Sequence, residues 1–326
     1  MNEWRPHVVV TPHFVVRADQ LARLAHAHPR VDVYFATSRE EYSAMLPEVD
    51  AAVTGFGLSP EQLASATHLR WLQNMGAGVE RLLTPELRQS DLIITATKGP
   101  MGVLMAEHVV TLMLALARDL PAFFGDQQAR RWRRYPSERR PAREMAGRTM
   151  LVLGVGAVGR EVARMCKLGF QMQVLGYARS HQDCPHIDCY VTPDDLPSAL
   201  GEADVVSLSL PVTPATLRII DAAALAKFKS GAFLINVARG QLVDQNALIA
   251  ALQSGQLGGA GLDAFAEEPL PPESPLWDMP NVIVTPHTSA ITDRLGDHFV
   301  DFWAENLRRF ADGETLLGLV DKAAGY

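Results

Sequence analysis

Three titratable residues, Arg239, Glu268 and His287, each stand just past an apolar run that reads as a strand. Ile235-Asn-Val-Ala precedes the arginine, Leu262-Asp-Ala-Phe-Ala leads towards the glutamate, and Val284-Thr-Pro precedes the histidine. In an open α/β sheet, ligands bind outside the carboxyl ends of the strands, so residues at such positions converge on one site. A histidine with a carboxylate partner gives and takes a proton in one fixed orientation. A nearby arginine clamps a small carboxylate through its planar fork and polarises a carbonyl. The three types together suit acid–base chemistry on a small anion.

A second constellation lies upstream, from Thr149 to Gly169. Met150 to Leu153 reads as a buried strand, followed at once by Gly154, Gly156 and Gly159 in G-x-G-x-x-G spacing, with Ala157 and Val158 inside the motif. Val158, Val162, Met165 and Cys166 then recur at helical spacing, and Gly169 offers a C-terminal stop. In such a unit the first glycine allows the turn and the second lets a pyrophosphate approach the backbone. The third lets helix and strand pack closely. The uncompensated amides and positive dipole end of the helix hold the phosphates, so the stretch predicts a dinucleotide site.

The elements that must position these residues follow from alternation. Before residue 99, short apolar runs at 7–10, 31–36, 51–54, 69–74 and 92–96 alternate with helical patterns such as 18–27. After the glycine turn, strands are expected at 172–177, 204–210, 232–237, 259–263 and 282–284, with a helix at 244–253. Both halves therefore predict parallel sheets covered by helices. Asn74 to Glu80 is a glycine-rich turn, either a plain connection or a cradle that presents backbone amides to an anion. The segment 103–118 is apolar nearly all round and reads as a helix buried between domains or between subunits. His108 within it reads as a satisfied structural histidine. The final segment carries a long helical pattern in Phe299, Phe302, Trp303, Leu307 and Phe310, which returns the chain to the first domain.

Composition narrows the function classes. The 326 residues suffice for two domains, and a formal net charge of -7 argues against a general nucleic-acid binder. Seven arginines between 130 and 143, with Trp132 and Tyr135 among them, then read as a solvated arm or subunit contact. Three cysteines give no disulfide framework, which points to a reducing cytoplasm. The segment from His181 to Cys189 mixes possible ligands without a zinc spacing, so no metal is expected. The N-terminus lacks a signal-peptide core. The longest apolar run, Val109 to Ala117, is too short for a bilayer, so no membrane partner is expected.

The chain resembles the D-isomer-specific 2-hydroxyacid dehydrogenase family across nearly its whole length. The matching pieces are Gly76-Ala-Gly-Val-Glu80, Ala106-Glu-His108, the glycine turn and Ala203-Asp-Val-Val-Ser-Leu-Ser-Leu-Pro211. Further on come Lys229 to Gly240, Gly261 to Leu270 and Asn281 to His287, with family-like intervals between the arginine, the glutamate and the histidine. Trp4, the Tyr177-Ala-Arg-Ser180 loop, the Pro272-to-Trp277 segment and the Ser289-to-Thr292 turn are similar to the glyoxylate/hydroxypyruvate reductase branch. Ser209 departs from the family's usual His or Asn, and Ala264 replaces a common Val.

The resemblance implies two Rossmann-like α/β domains with a cleft between them. A flavodoxin-like substrate domain would span 1–99 and 289–326, and a doubly wound NAD(P)-binding domain 100–288. Arg239 would bind the substrate's carboxylate and carbonyl, and His287 would be general acid in reduction and base in oxidation. Glu268 would orient His287 and hold it protonated. Backbone amides around Ala77, Gly78 and Val79 would hold the carboxylate, and Asp263 would contact the nicotinamide carboxamide. Pro211, Val237 and Ala238 would line the cofactor site. A homodimer built on the nucleotide domain is also implied. By the same resemblance, Ala178 takes the place of the acid that receives the ribose 2′-hydroxyl of NAD, with Arg179 and Ser180 following. Loss of the acid and gain of a base point to NADP as preferred coenzyme, with NAD possible. The expected activity is reduction of a small 2-ketoacid to the D-2-hydroxyacid. The alternatives are a relative acting on phosphoglycerate, formate or phosphite, and a nucleotide-sensing corepressor without catalysis.

Overall fold

Short runs of Val, Ile, Leu and Ala form the first sheet, because β-branched and apolar side chains suit strands covered on both faces. The computed structural model describes residues 4–11, 16–80, 82–134, 141–179 and 183–326. Chain order gives β1 (His7–Val10), α1 (Ala18–Ala25), β2 (Asp32–Phe35), α2 (Arg39–Met45), β3 (Ala51–Thr54) and α3 (Pro60–Ser65). There follow β4 (Trp71–Asn74), α4 (Pro85–Gln89) and β5 (Ile93–Ala96). All pairings are parallel, in the order β2-β1-β3-β4-β5, the flavodoxin-like arrangement. β3 and β4 are buried at every position. Three of these helices, α2, α3 and α4, start at a side-chain cap. Ser38 accepts from the Glu41 amide, and Ser59 with Gln62 forms a capping box ahead of Pro60.

The second sheet begins after α5 (Gly102–Ala117) and α6 (Leu120–Gln128). Its elements are β6 (Thr149–Leu153), α7 (Ala157–Phe170), β7 (Gln173–Tyr177), β8 (Cys189–Val191), α8 (Leu196–Glu202) and β9 (Val205–Leu208). Then come α9 (Ala222–Leu225), β10 (Ala232–Asn236), α10 (Gln245–Gln253), β11 (Leu257–Leu262) and β12 (Val282–Val284). The order β12-β11-β10-β9-β6-β7-β8 is the doubly wound arrangement, with one strand added beyond the usual six. Its strand order reverses between β6 and β9, the place where such sheets bind dinucleotides. The registers Asn236↔Leu262 and Leu262↔Val284 bring the ends of β10, β11 and β12 level. Arg239, Glu268 and His287 therefore leave the sheet from the same edge.

α11 (Leu295–Asp312) closes the chain and belongs to the first unit, which comprises Met1–Met101 and Thr292–Tyr326; the second is Gly102–Ile291. α11 buries Phe299, Val300, Trp303 and Leu307, one helical stripe, and Arg23 of α1 reaches Asp297 at 2.7 Å. No helix among the described residues is long and apolar enough to cross a membrane.

Several sequence expectations are corrected. Gly169 does not stop its helix: α7 runs through it to Phe170, and Gln171 takes the left-handed cap at φ 53°. Its amide closes on the Cys166 carbonyl. The apolar segment 103–118 buries one face within its own unit, where α5 packs on α7 and on β10 and β11. Cys189 is not in a loop; it opens β8, paired with Leu175. Cys184 is buried, and no cluster of three possible metal ligands occurs among the described residues. Arg143 is no part of an exposed arm: it stacks over Phe233 at 4.8 Å and donates to the Gly231 carbonyl. Arg133 binds the buried Asp126 at 2.7 Å. Tyr135, Arg139, Arg140 and His181 lie outside the described residues.

Candidate active site

The glycine turn follows β6 directly. Gly154 adopts φ 102°, and a Cβ there would lie 2.7 Å from the Ser209 carbonyl group. Both features require glycine. A Cβ on Gly159 would fall 1.9 Å from the Gly154 carbonyl oxygen, so α7 starts hard against the turn. Gly156 is different: apart from its chain neighbours, nothing stands within 4 Å of its missing Cβ, and the residue is exposed. α7 begins at Ala157 and Val158 without a side-chain cap. An exposed, uncapped helix start at the switch point fits the diphosphate of a dinucleotide. Gly159→Ala should lower stability by about 1–3 kcal/mol through the forced shift of α7. An unchanged melting temperature in that variant would contradict the close packing.

Ser209, where the family pattern has His or Asn, has a clear task. Its hydroxyl donates to the Gly154 carbonyl at 2.7 Å and its amide to Leu153 at 2.8 Å, tying the end of β9 to the turn. Pro211 follows, with its carbonyl held by the Thr216 hydroxyl at 2.7 Å. At the end of β7, Ala178 is half-buried and Arg179 exposed. Ser180 lies outside the described residues.

The arginine turn is braced by the amide side chain that ends β10. Asn236, 1% exposed, accepts from the Ala238 amide at 3.0 Å and donates to the Arg239 carbonyl at 2.9 Å. Val237 and Ala238 are buried. A Cβ on Gly240 would fall 1.8 Å from the Phe265 carbonyl carbon, so the turn is seated against the segment that carries Glu268. The only signal for Asn236 in the sequence is a lone amide ending an apolar strand.

Glu268 and His287 meet. Oε2 of the glutamate accepts from Nδ1 of the imidazole at 2.8 Å, and Oε1 accepts from the Phe265 amide at 3.0 Å. With Nδ1 engaged, Nε2 is the ring atom free to deliver a proton. His287 sits at φ 53°, a left-handed conformation that a non-glycine residue keeps only when its surroundings hold it. Asp263 holds it. Its buried carboxylate accepts from the Thr285 hydroxyl at 2.6 Å and from the Thr288 and Ser289 amides at 2.9 Å each, on both sides of His287. All three of these hydrogen-bond partners belong to the histidine loop.

In the first unit, the turn after β4 is organised by Asn74. Its amide nitrogen donates to the carbonyls of Gly76 at 2.9 Å and Gly78 at 2.8 Å, and the Thr97 amide joins Gly76 at 3.0 Å. Ala77 is exposed between them, while the Val79 side chain is buried in that unit's core.

The model of the D-isomer-specific 2-hydroxyacid dehydrogenase NAD-binding domain matches residues 110–289. Glyoxylate reductase of Pyrococcus furiosus is 33% identical over 292 residues, 87% of this chain and 86% of that protein. D-3-phosphoglycerate dehydrogenase of Synechocystis is 32% identical over 299 residues, 90% of this chain, which spans only 52% of that relative. Among solved structures, a D-isomer-specific 2-hydroxyacid dehydrogenase from Xanthobacter autotrophicus, in complex with NADPH and MES, superposes with TM-score 0.85 and 33% identity. The match covers 99% of this chain and 100% of that one. An NADPH-dependent glyoxylate/hydroxypyruvate reductase from Sinorhizobium meliloti, in complex with NADP and sulfate, gives 0.82 and 31%, with the same coverage. The chain belongs to the D-isomer-specific 2-hydroxyacid dehydrogenase family.

Proposed function

We propose that the protein reduces a small 2-ketoacid of the glyoxylate or hydroxypyruvate kind to the D-2-hydroxyacid. NADPH, when bound, supplies the hydride that reduces the C2 carbonyl. The observation that carries this reading is the Glu268–His287 pair, 2.8 Å apart, on the same sheet edge as Arg239 and in a unit whose glycine turn suits a dinucleotide. His287 gives its Nε2 proton to the carbonyl oxygen during reduction and retrieves it in the reverse direction. Glu268 fixes the ring through Nδ1. Arg239 takes the substrate carboxylate and polarises the carbonyl. In the first unit, the amides around Ala77, Gly78 and Val79 are a further set of donors suited to a small carboxylate. The likeness to a glyoxylate reductase and to a glyoxylate/hydroxypyruvate reductase supports that substrate class.

The preferred coenzyme is NADPH. Ala178 removes the carboxylate that would repel a 2′-phosphate, and Arg179, with Ser180, supplies a base and a hydroxyl. The Xanthobacter autotrophicus and Sinorhizobium meliloti relatives were solved with the phosphorylated coenzyme, in line with this choice. The expected result is a kcat/KM for NADPH at least about tenfold above that for NADH, a difference of only about 1.4 kcal/mol. Arg179→Ala should erase most of it through the KM for NADPH. Equal use of both coenzymes by the wild type would remove the assignment. We propose that a homodimer forms through the second unit; the exposed Phe124 and Trp132, at 58% and 92%, support that surface. The test of the whole reading is a panel of 2-ketoacids with both coenzymes. Coenzyme binding without turnover of any of them would reduce the protein to a nucleotide-binding role.

A further inference from the structure

α5 lies directly on β11. A Cβ on Gly261 would come within 2.9 Å of the Leu112 side chain, so glycine sets the closeness of helix and strand. One turn earlier on the same helix face stands His108, since residues four apart stack on one another. Two residues further along the strand path stands Asp263. The packing at Gly261 thus delivers the His108 ring to the end of the sheet. There its Nε2 lies 3.0 Å from the Thr285 hydroxyl and 3.9 Å from the nearer Asp263 oxygen.

The hydrogen-bond directions are determined. Thr285 has one hydroxyl proton and gives it to Asp263 Oδ1 at 2.6 Å. Its oxygen can then only accept from His108, so His108 carries its proton on Nε2. Asp263 accepts two further hydrogen bonds, from the Thr288 and Ser289 amides. A continuous chain of hydrogen bonds therefore runs from helix α5 through Thr285 to Asp263, on which the amides from the far side of His287 also converge. No other described side chain donates to the Asp263 carboxylate.

We propose that His108 is a positioning residue for the proton donor. Through Thr285 it fixes the Asp263 carboxylate, which in turn fixes the left-handed backbone at His287 and the aim of its Nε2. This rests on His287 being the proton donor. Its own signature is independent of that: the order of the 285–291 loop depends on an Nε2–H donor at position 108.

The test compares three variants, His108→Leu, His108→Gln and Thr285→Val, by steady-state kinetics with NADPH and a 2-ketoacid and by amide hydrogen exchange of the 285–291 peptide. His108→Leu removes the donor, His108→Gln restores an N–H of similar reach, and Thr285→Val removes the hydroxyl link at equal size. His108→Leu and Thr285→Val should each lose about tenfold in kcat, as misplacement of a catalytic group does, with the KM for NADPH within about twofold. Exchange in 285–291 should quicken in both, and exchange in the first unit should not. His108→Gln should recover most of both properties. Unchanged exchange in His108→Leu and Thr285→Val overturns the proposal, as does a His108→Gln variant as impaired as His108→Leu. If His287→Ala keeps full kcat, the proton-donor reading falls, while faster exchange in His108→Leu still supports the brace.

Discussion

His287→Ala should lower kcat by at least about 10²-fold, the usual scale of general acid–base catalysis, while coenzyme binding is retained. The separation of the two effects follows from the hydrogen bonds. The loop is held at Asp263 by the Thr285 hydroxyl and by the Thr288 and Ser289 amides, none of which belongs to the imidazole. Removing the ring therefore takes away the proton at Nε2 and leaves the backbone braced. The glycine turn lies elsewhere in the unit, at 154–159, and its bonds to Tyr177 and Ser209 do not involve the loop. Fluorescence titration with NADPH and steady-state kinetics on one preparation check both halves. A near-normal kcat would remove His287 from the mechanism.

Arg239→Lys should not rescue function, with kcat/KM for the ketoacid reduced by about 10- to 100-fold, through a raised KM and a lowered kcat together. Planarity decides this. A guanidinium presents parallel N–H donors to a carboxylate, whereas an ammonium is a point charge on a shorter reach. The backbone cannot move to compensate. Asn236 clasps the turn on both sides of Ala238, and Gly240 is pressed against Phe265. The carboxylate clamp is lost in ground and transition states alike and raises KM, while the polarisation of the carbonyl is lost in the transition state and lowers kcat. A lysine variant with wild-type kcat/KM would contradict the clamp.

Most of the framework could be read before any coordinates. The central strands announce themselves as short apolar runs, and the glycine turn carries its own steric requirement at Gly154 and Gly159. The helices α3, α4 and α9 stayed silent, because six, five and four residues are too few to display a period. β8 was hidden for a related reason: three residues with one buried side chain carry no pattern. Gly169 misled because a glycine within a helix and a glycine past its end look alike in sequence, and Gln171 took the left-handed cap instead.

The candidate site was legible in its three charged members, since each follows a readable strand. What braces them was not. Asn236 acts through the turn that follows it, and Asp263 acts on a loop that begins 22 residues later, reached through the pairing of Leu262 with Val284. Strand register is a property of the sheet and leaves little trace in one strand's residues. His108 needs one step more, the seating of α5 on Gly261. In the sequence it reads as a satisfied histidine, which it is; the identity of its partner is what gives it a task.

In the proposed reaction, hydride goes to C2 of a ketoacid while His287 protonates its oxygen. The most direct measurement uses NADPH carrying deuterium on the transferred face of nicotinamide C4, with hydroxypyruvate in ordinary water, and product analysis by mass and chirality. The expected product is the D-hydroxyacid with one deuterium, on C2. Turnover with C2 unlabelled, a product of the L configuration, or no NADPH oxidation with any 2-ketoacid would contradict the account.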